Sequence, residues 1–375
     1  MLFAVVAAMV FLSAGMALTQ PPENASGSYI VVLKNSVDNP AQAADEISRR
    51  NNAEVGFVYR NAIKGFSAVV PNSRVAEVRS DSRVDYVEKD GQMRAVAQTL
   101  PWGINRIDAD ISSTLAGNGS GEITNVDAYI IDTGIDDTHT DLNFAGQVNF
   151  TGGPNRDCNG HGTHVSGTVA AEDNTSDVVG VSPGAPLTAV KVLGCSGSGS
   201  TSGVIKGVDY VTTNATEPAI ANMSLGGSAS KALDDAVTRS ANSGVFYSLA
   251  AGNEGANACN SSPARVGAGT NNGIVTTAAT NSSDQEASWS NYGKCVDIWA
   301  PGVSILSTKK GGGTTTLSGT SMASPHVGGA GALYLSSHTG ASPATVETSI
   351  KAAAEVTSSK SKDGRQIQLL DVATF

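Results

Sequence analysis

Hydrophobic and polar positions in residues 28–90 form short blocks that predict a small α+β unit. Apolar runs that predict strands lie at 28–33, 66–70 and 84–88. Helical spacing is found at 40–52, with Pro40 in the first turn, and at 73–79. Proline is favoured there because the first N–H groups of a helix have no partner within it. The order is βαββαβ-like, as expected of a compact two-layer unit.

After Pro101 the pattern changes to apolar strands that alternate with helical segments. The strand-like runs are 127–131, 187–192, 219–225 and 245–250, and the helical runs are 164–171, 203–213 and 232–243. Such alternation predicts parallel strands joined by helical crossovers, in an α/β sheet covered on both faces. Active sites in these sheets lie at the carboxyl ends of the strands.

The first 17 residues are almost entirely apolar and small, which predicts a signal peptide. The run at 2–12 suits its hydrophobic core and Gly15-Met16-Ala17 suits cleavage, although no basic residue precedes the run. A membrane anchor is the alternative, but the run is shorter than the ~20 residues that a spanning helix needs. A linker open to proteolysis is predicted at 92–99, which is small and polar without periodicity.

Composition and charge narrow the class of function. The chain has 375 residues, of which 42 are glycine and 15% are charged, which indicates a tightly packed globular protein with many turns. Its net charge is −10, and the first 96 residues contain 10 basic and 10 acidic side chains. The acidic excess therefore lies in the C-terminal part, where it would repel the phosphates of nucleic acid.

Three segments contain the residue types of nucleophilic catalysis. The first, at 128–135, is an apolar strand that ends at Asp132 and is followed by a glycine turn. An aspartate at the carboxyl end of a strand faces the region of the active site. A turn residue or a helix cap would have the same local pattern.

The second segment, 159–168, has glycine on both sides of His161, which leaves room for close backbone approach. The small apolar residues that follow predict a buried helix with His161 at its start. His164 lies in the same first turn, and two close histidines are a possible metal pair. Because no acidic ligand is near them, we interpret His164 as structural.

The third segment, 318–327, places Ser321 where a glycine-containing turn meets a long helix of small residues. Backbone N–H groups and the positive end of the helix dipole at such a start favour a developing oxyanion beside the serine. A serine at a helix start is usually only a cap, so this segment alone is ambiguous.

In this order and spacing, the three segments resemble the Asp, His and Ser motifs of the subtilase superfamily. The segment 222–227 resembles the strand beside its primary specificity pocket, and 250–253 resembles its oxyanion-hole motif. The segments that resemble the proteinase K subfamily are 101–107, 291–293 and 296–302. Residues 28–90 are similar to the inhibitory propeptide of the same enzymes, so the resemblance extends over 28–375.

The resemblance implies a secreted serine endopeptidase with a subtilisin-like three-layer α/β fold, preceded by a small α+β propeptide. Ser321 would attack the peptide carbonyl, His161 would transfer the proton, and Asp132 would orient the imidazole. The side chain of Asn253 and the backbone N–H of Ser321 would stabilise the oxyanion. The expected segments are a signal peptide at 1–17, a propeptide at 18–96, a cut near 94–97 and a catalytic domain at 97–375.

Substrate would bind as an extended strand between two edges of the catalytic domain. The residues that the resemblance assigns to binding are Ser198, Gly199 and Ser200 on one edge, Ser224, Leu225, Gly226 and Gly227 on the other, and Ala250, Ala251 and Gly252 beside the side pocket. Because these pocket residues are small and uncharged, we expect broad specificity with a preference for apolar or aromatic side chains. An uncharged pocket also argues against a processing protease for dibasic sites.

Four cysteines, all after residue 150, predict two disulfides in a secreted chain and leave three pairings open. No CxxC pair occurs, which disfavours a zinc site.

The resemblance to proteinase K-like enzymes implies the pairs Cys158–Cys195 and Cys259–Cys295. It also implies structural calcium with Asp297 as a ligand, and no catalytic cofactor.

The expected partners are protein and peptide substrates, and the chain's own propeptide as an intramolecular inhibitor. We expect no nucleic acid, no membrane anchor after removal of the signal peptide, and an extracellular monomer. The alternative from another functional class is a catalytically silent subtilase that binds peptides or acts as an inhibitor. The intact set of Asp132, His161, Ser321 and Asn253 favours the enzyme.

Overall fold

The computed structural model describes residues 25–91, 98–268 and 271–375. The chain divides into two compact units, Met1–Ala95 and Val96–Phe375. The signal peptide predicted at 1–17 lies outside the described residues, and so do residues 94–97, where the cut is expected. Within the described ranges, no helix has the length and apolar composition needed to cross a membrane.

The N-terminal unit is a four-stranded antiparallel sheet packed on one face by helices. Its elements are β1 (Ser26–Leu33), α1 (Pro40–Arg50), β2 (Glu54–Tyr59), β3 (Gly65–Pro71), α2 (Val75–Ser80) and β4 (Val84–Lys89). The strand order is β2-β3-β1-β4, with a core around Val31, Ile47 and Phe66. The hydrophobic pattern does not reveal β2, because its residues are exposed or half-buried and include Gly56.

The C-terminal unit alternates strands and helices along the chain. Its elements are α3 (Trp102–Arg106), β5 (Asp127–Asp132), β6 (Phe144–Asn149), α4 (His161–Ala170), β7 (Leu187–Lys191), α5 (Thr201–Asn214), β8 (Ala219–Met223), β9 (Gly227–Ser228), α6 (Lys231–Asn242), β10 (Val245–Ala250), β11 (Ser261–Ser262), β12 (Ile274–Thr280), β13 (Ile298–Pro301), β14 (Ile305–Thr308), β15 (Thr314–Leu317), α7 (Thr320–Ser337), α8 (Pro343–Ala353), β16 (Glu355–Lys360) and β17 (Gln366–Leu369).

Nine of these strands form one sheet in the order β16-β17-β13-β12-β10-β8-β5-β7-β6. Neighbouring strands are parallel except for the pair β16–β17. The pairs β9–β11 and β14–β15 form two small separate ribbons. The predicted class, an α/β fold with a mostly parallel central sheet, is confirmed.

Helices cover both faces of this sheet, which makes three layers. α4, α7 and α8 share one core with Ile130 and Phe246, whereas α5 and α6 share the other with Ile131 and Tyr247. Adjacent residues of one strand enter opposite cores because side chains alternate across a sheet. Small residues let α7 lie close to the sheet: a Cβ atom on Gly331 would lie 2.5 Å from the ring of Phe246.

Candidate active site

Asp132 and His161 make the central contact of the site. Asp132 ends β5 and is fully buried, whereas His161 begins α4 with 26% of its side chain exposed. Nδ1 of His161 lies 2.8 Å from Oδ1 of Asp132 and 3.0 Å from Oδ2. A carboxylate in this position holds the proton on Nδ1 and leaves Nε2 as the basic atom.

Glycines allow α4 to begin beside the end of β5. Gly160 has a φ of 110°, a left-handed conformation that residues with a side chain rarely adopt. A Cβ atom on Gly162 would lie only 2.1 Å from the carbonyl oxygen of Gly134, in the turn after β5. The glycines on either side of His161 therefore permit the approach that brings its ring to Asp132.

Asp157 is a site residue that the sequence pattern does not reveal. It is 4% exposed, and its Oδ1 accepts the N–H groups of Asn159 at 2.9 Å and Gly160 at 2.8 Å. Its Oδ2 accepts the N–H of Thr163 at 3.1 Å and the Thr163 hydroxyl at 2.6 Å. Asp157 thus satisfies two of the free N–H groups at the start of α4, those of Gly160 and Thr163, and helps to hold His161 in place.

Two carboxylates control the protonation of His161. Burial lowers the pKa of His161, but the charge and hydrogen bond of Asp132, with a contribution from Asp157, outweigh it and hold the pKa above 6.5. The buried Lys191 lies opposite Asp132 in the sheet register and donates to the carbonyl oxygens of Thr133 and Leu193. Its positive charge offsets the two buried carboxylates.

Ser321 lies in the first turn of α7 and lines the same cleft as His161, a cleft of about 410 Å³. Its hydroxyl donates to the carbonyl oxygen of Ser224 at 3.2 Å. No hydrogen bond joins Ser321 to His161 within the described part of the chain. The two side chains line one cleft, and contacts of this kind often form only when substrate is bound.

Two N–H donors face one space beside Ser321. Oδ1 of Asn253 accepts the N–H of Thr320 at 2.8 Å and its hydroxyl at 3.0 Å, and among the described residues Nδ2 of Asn253 has no acceptor. A Cβ atom on Gly319 would lie 3.7 Å from this Nδ2 and 3.6 Å from the backbone nitrogen of Ser321. Because Gly319 has no side chain, the space suits an oxyanion. Thr320, which is fully buried, is a second site residue that the sequence pattern does not reveal.

Most of the residues predicted to bind substrate line the cleft. Those found there are Ser198, Gly199, Ser224, Leu225, Gly226 and Gly227. Ser200 is not among the lining residues, and its hydroxyl caps α5 by accepting the N–H of Gly203 at 3.0 Å. The next residue, Thr201, lines the cleft instead, together with Asn159 and Leu193.

The side pocket has a volume of about 440 Å³ and is lined by Ala250, Ala251 and Gly252. It is also lined by Glu254, which corrects the expectation of an uncharged pocket. Oε2 of Glu254 accepts a hydrogen bond of 2.7 Å from Nδ2 of Asn291. A carboxylate in the pocket wall favours a basic side chain more than small apolar residues alone would.

His164 and His326 are fully buried and do not line the cleft. Nε2 of His164 lies 3.0 Å from the carbonyl oxygen of Ile305 and 3.2 Å from that of Thr315, and so joins α4 to the ribbon β14–β15. Burial lowers the pKa of both histidines to about 4. These contacts are those of a structural residue, in agreement with the interpretation of His164.

Asp297 does not have the surroundings of a calcium ligand. Its side chain is 3% exposed, and its Oδ2 accepts the N–H of Thr276 at 2.8 Å. Its Oδ1 lies 3.3 Å from Nζ of Lys351, which also lies 2.9 Å from Oε1 of the buried Glu347. An ammonium group therefore supplies the positive charge that these two carboxylates need, and the residues at Asp297 do not fit calcium.

Asp141 fits calcium better. It is fully buried and accepts hydrogen bonds from Nδ2 of Asn174 at 2.8 Å and from the N–H of Val178 at 3.2 Å. The Gln98 amide bridges the carbonyl oxygens of Glu172 and Val178 at 2.7 and 3.2 Å. Burial raises the pKa of Asp141 to about 7 and that of Asp297 to about 7 as well, so the lysine beside Asp297, and not the pKa, distinguishes the two sites. Because the described side chains include no group of three acidic, histidine or cysteine ligands, carbonyl and amide oxygens would complete the ligand set, as calcium accepts.

The structure contains the disulfides Cys158–Cys195 and Cys259–Cys295, the pairs that the resemblance implies. The first joins the loop before α4 to the loop after β7. Nδ2 of Asn159 reinforces this link by donating to the carbonyl oxygen of Cys195 at 3.1 Å. The start of α4 is thereby tied to the segment that forms one edge of the cleft.

Comparisons with known proteins agree with this geometry. Residues 126–369 match the Subtilase family, and residues 28–95 match the Peptidase inhibitor I9 family. The crystal structure of a cold adapted subtilisin-like serine proteinase is 43% identical in sequence and superposes with a TM-score of 0.65. That match covers 72% of this chain and 97% of the other.

Characterised relatives are similar over most of this chain. The extracellular serine proteinase of Thermus sp. (strain Rt41A) is 42% identical over 88% of this chain and 85% of its own. The subtilisin-like serine protease Pen c 1 of Penicillium citrinum is 38% identical over 97% of this chain and 96% of its own. The alkaline serine exoprotease A of Vibrio alginolyticus is 44% identical over 82% of this chain, which spans 58% of that protein's length. The chain therefore belongs to the subtilase family of subtilisin-like serine proteases and has an I9 inhibitor domain before its peptidase domain.

Proposed function

We propose that this protein is a secreted serine endopeptidase of the proteinase K-like group, in which Asp132, His161 and Ser321 are the catalytic triad. One observation carries the proposal: the 2.8 Å and 3.0 Å contacts between His161 and Asp132 stand in a cleft that Ser321 also lines. Family membership supports serine-type chemistry. The similarity of 101–107 and 291–293 to proteinase K-like enzymes supports the subgroup.

Acylation begins when Oγ of Ser321 attacks the carbonyl carbon of the scissile bond. The pKa of a serine hydroxyl is too high for ionisation near neutral pH, so Nε2 of His161 takes the proton during the attack. Asp132 stabilises the resulting imidazolium. His161 then gives this proton to the leaving nitrogen, the C–N bond breaks, and an acyl-enzyme ester remains on Ser321.

The oxyanion of the tetrahedral intermediate binds between Nδ2 of Asn253 and the N–H of Ser321. Both donors are in position before the reaction, so the charge develops in a prearranged site. In the second half of the reaction, His161 removes a proton from water, which attacks the ester. Collapse of the second intermediate breaks the ester C–O bond, returns the proton from His161 to Oγ of Ser321, and releases the new carboxylic acid, which loses its proton to water.

The substrate lies as an extended strand between the edge at 198–199 and the edge at 224–227. The side chain before the scissile bond enters the pocket of Ala250, Ala251 and Gly252. Small walls accept apolar and aromatic side chains, and Glu254 widens this range toward basic ones. Broad specificity with an apolar or aromatic preference follows.

The endopeptidase is made as a precursor, with a signal peptide at 1–17, a propeptide at 18–96 and a catalytic domain at 97–375. The I9 match over 28–95 supports a propeptide that inhibits its own catalytic domain. The mature enzyme is an extracellular monomer that acts on proteins and peptides. Structural calcium bound at Asp141 stabilises its fold.

The test uses the secreted product of the full-length chain. Casein hydrolysis and covalent labelling by a fluorophosphonate should both occur, and Ser321→Ala should abolish both. A well-folded wild type that neither cleaves casein nor is labelled would instead be the silent, peptide-binding subtilase.

A further inference from the structure

Asn291 is a buried residue, and both the oxygen and the nitrogen of its side-chain amide are hydrogen-bonded to one loop of the site. Its Nδ2 donates to the carbonyl oxygen of Ala251 at 3.0 Å and to Oε2 of Glu254 at 2.7 Å. Its Oδ1 accepts the N–H groups of Glu254 at 3.1 Å and Ala256 at 2.8 Å. All four positions that an amide side chain can use for hydrogen bonds are therefore occupied by the loop 251–256.

These contacts lie on both sides of Asn253. The carbonyl oxygen of Gly252, the preceding residue, accepts the backbone N–H of Asn291 at 2.9 Å, and Glu254 is the following residue. Asn253 and Glu254 are themselves exposed, so packing does little to hold this stretch of backbone. Thr320 orients the Asn253 side chain itself, and Asn291 supports the backbone of the loop from below.

Asn291 is itself rigidly placed. Its neighbour Ser290 is fully buried and accepts the N–H of Ala279, a residue of the central strand β12, at 3.0 Å. On the other side, the N–H of Tyr292 donates to the carbonyl oxygen of Ala256 at 3.0 Å. The hydrogen bonds of Asn291 therefore connect the exposed loop to the sheet.

We infer that Asn291 is a positioning residue for catalysis: it holds the loop 251–256 so that Nδ2 of Asn253 meets the oxyanion. This inference rests on the proposed function. Transition-state stabilisation by a hydrogen bond requires the donor to stand at the correct distance before the reaction. A small displacement of the loop would weaken the contact with the oxyanion more than the contacts with bound substrate, and would lower kcat more than it changes KM.

Asn291→Asp changes this support without changing its shape. The two acceptor contacts with Glu254 N–H and Ala256 N–H survive, but both donor contacts are lost. In the wild type, Nδ2 of Asn291 donates to the Glu254 carboxylate at 2.7 Å. In Asn291→Asp, a carboxylate oxygen would replace this donor and face the Glu254 carboxylate. Like charges at such a distance repel, so the loop must move or the introduced carboxyl must take up a proton.

The experiment compares wild type, Asn291→Asp, Glu254→Gln and the double variant Asn291→Asp/Glu254→Gln, each secreted from the full-length chain. Active sites are titrated, and kcat, KM and inhibition by a peptide boronate are measured between pH 6 and 10. We expect Asn291→Asp to lower kcat about 10- to 100-fold at pH 9 with KM nearly unchanged. Inhibition by the boronate, which mimics the tetrahedral intermediate, should weaken in parallel.

Two further results distinguish positioning from general destabilisation. The ratio of Asn291→Asp to wild-type activity should rise as pH falls, because the protonated carboxyl can donate again. In the double variant, the Glu254→Gln amide can donate to the introduced carboxylate, so kcat should recover from the Asn291→Asp value toward that of Glu254→Gln alone. Asn281→Asp is the matched control, since among the described residues the side chain of Asn281 bonds Ser283 and Gln285 of its own turn.

The inference is overturned if Asn291→Asp lowers thermal stability but keeps the wild-type kcat per titrated site. It is also overturned if kcat falls without dependence on pH and without recovery in the double variant. Failure of the proposed function has a different signature, because a wild type that neither hydrolyses casein nor reacts with a fluorophosphonate would leave no kcat to compare.

Discussion

The backbone N–H of Thr320 donates a hydrogen bond of 2.8 Å to Oδ1 of Asn253, and the Thr320 hydroxyl donates to the same oxygen. An amide side chain has one acceptor end and one donor end. Since Thr320 occupies the acceptor end, the donor end must face the open space beside Ser321. Thr320, the residue that precedes the proposed nucleophile Ser321, thus orients the proposed oxyanion donor.

Asn253→Ala should lower kcat about 100- to 1,000-fold, the loss typical of removing one oxyanion-hole donor. KM should change little, because the hydrogen bond strengthens only when the carbonyl oxygen becomes charged. Steady-state kinetics on a short peptide substrate measures both constants. A defect that appears mainly in KM would show instead that Asn253 positions the substrate.

Activity should be lost as pH falls through the pKa of His161. The imidazole must be neutral to accept the Ser321 proton, and Asp132 holds its pKa above 6.5. The acid limb of kcat/KM should therefore have an apparent pKa above 6.5, with a tenfold loss for each pH unit below it. Asp132→Asn should move this limb to lower pH and reduce turnover about 10⁴-fold. An acid limb at the same pH in both proteins would contradict the assigned role of Asp132.

Calcium should stabilise the mature protein through Asp141 and not through Asp297. A ligand present at about 100 times its Kd adds about 2.7 kcal/mol to the free energy of unfolding. Chelation should therefore lower the Tm of wild type after inactivation with a sulfonyl fluoride, which prevents autolysis. The Tm of Asp141→Asn should no longer respond to calcium, whereas Asp297→Asn should respond like wild type. If the Tm of Asp297→Asn ignored calcium and that of Asp141→Asn responded to it, Asp297 would be the calcium ligand.

Buried histidines should make the fold sensitive to acid. His164 and His326 have a pKa of about 4 in the folded protein, below the ordinary value of 6.5. The unfolded chain then binds more protons between pH 4 and 6.5, so the free energy of unfolding falls as pH falls through this window and levels off below it. Each histidine accounts for roughly 3 kcal/mol by this linkage.

Urea unfolding of the inactivated protein at pH 7 and pH 4.5 tests this sensitivity. His326→Gln cannot titrate, so it should lose less stability than wild type over this interval. The comparison between the two proteins removes the effect of every other titrating group. Equal losses would mean that His326 is not held neutral in the folded state.

Ser321→Ala should accumulate as an uncut precursor. The I9 domain and the peptidase domain belong to one chain, so the cut expected near 94–97 becomes a local event with a high effective concentration. N-terminal sequencing of the wild-type product should locate the cut. The rate of precursor cleavage should not depend on protein concentration. Purified Ser321→Ala that matures at the normal rate, with no other protease present, would show that this serine does not make the cut.

The sequence by itself determined the alternation of strands and helices, because hydrophobic periodicity reflects which side of each element is buried. The segments 128–135, 159–168 and 318–327 are ambiguous one by one, and only their resemblance to the subtilase motifs, in that order and spacing, predicts Asp132, His161 and Ser321 as the catalytic set. The strand β2 was not apparent, because half-exposed residues at the edge of a small sheet leave a weak pattern.

Only the tertiary structure decided which side chains support and modify the site. Asn291 contacts Glu254 across 37 residues of sequence, Thr320 contacts Asn253 across 67, and Lys351 contacts Asp297 across 54. The pattern of hydrophobic and polar residues along the chain indicates burial and turns, but it does not indicate which buried polar groups become hydrogen-bond or ion-pair partners. A hydrogen bond or ion pair depends on two side chains meeting in space, so the charge in the side pocket, the lysine beside Asp297 and the support of the oxyanion loop follow from the packing of distant segments.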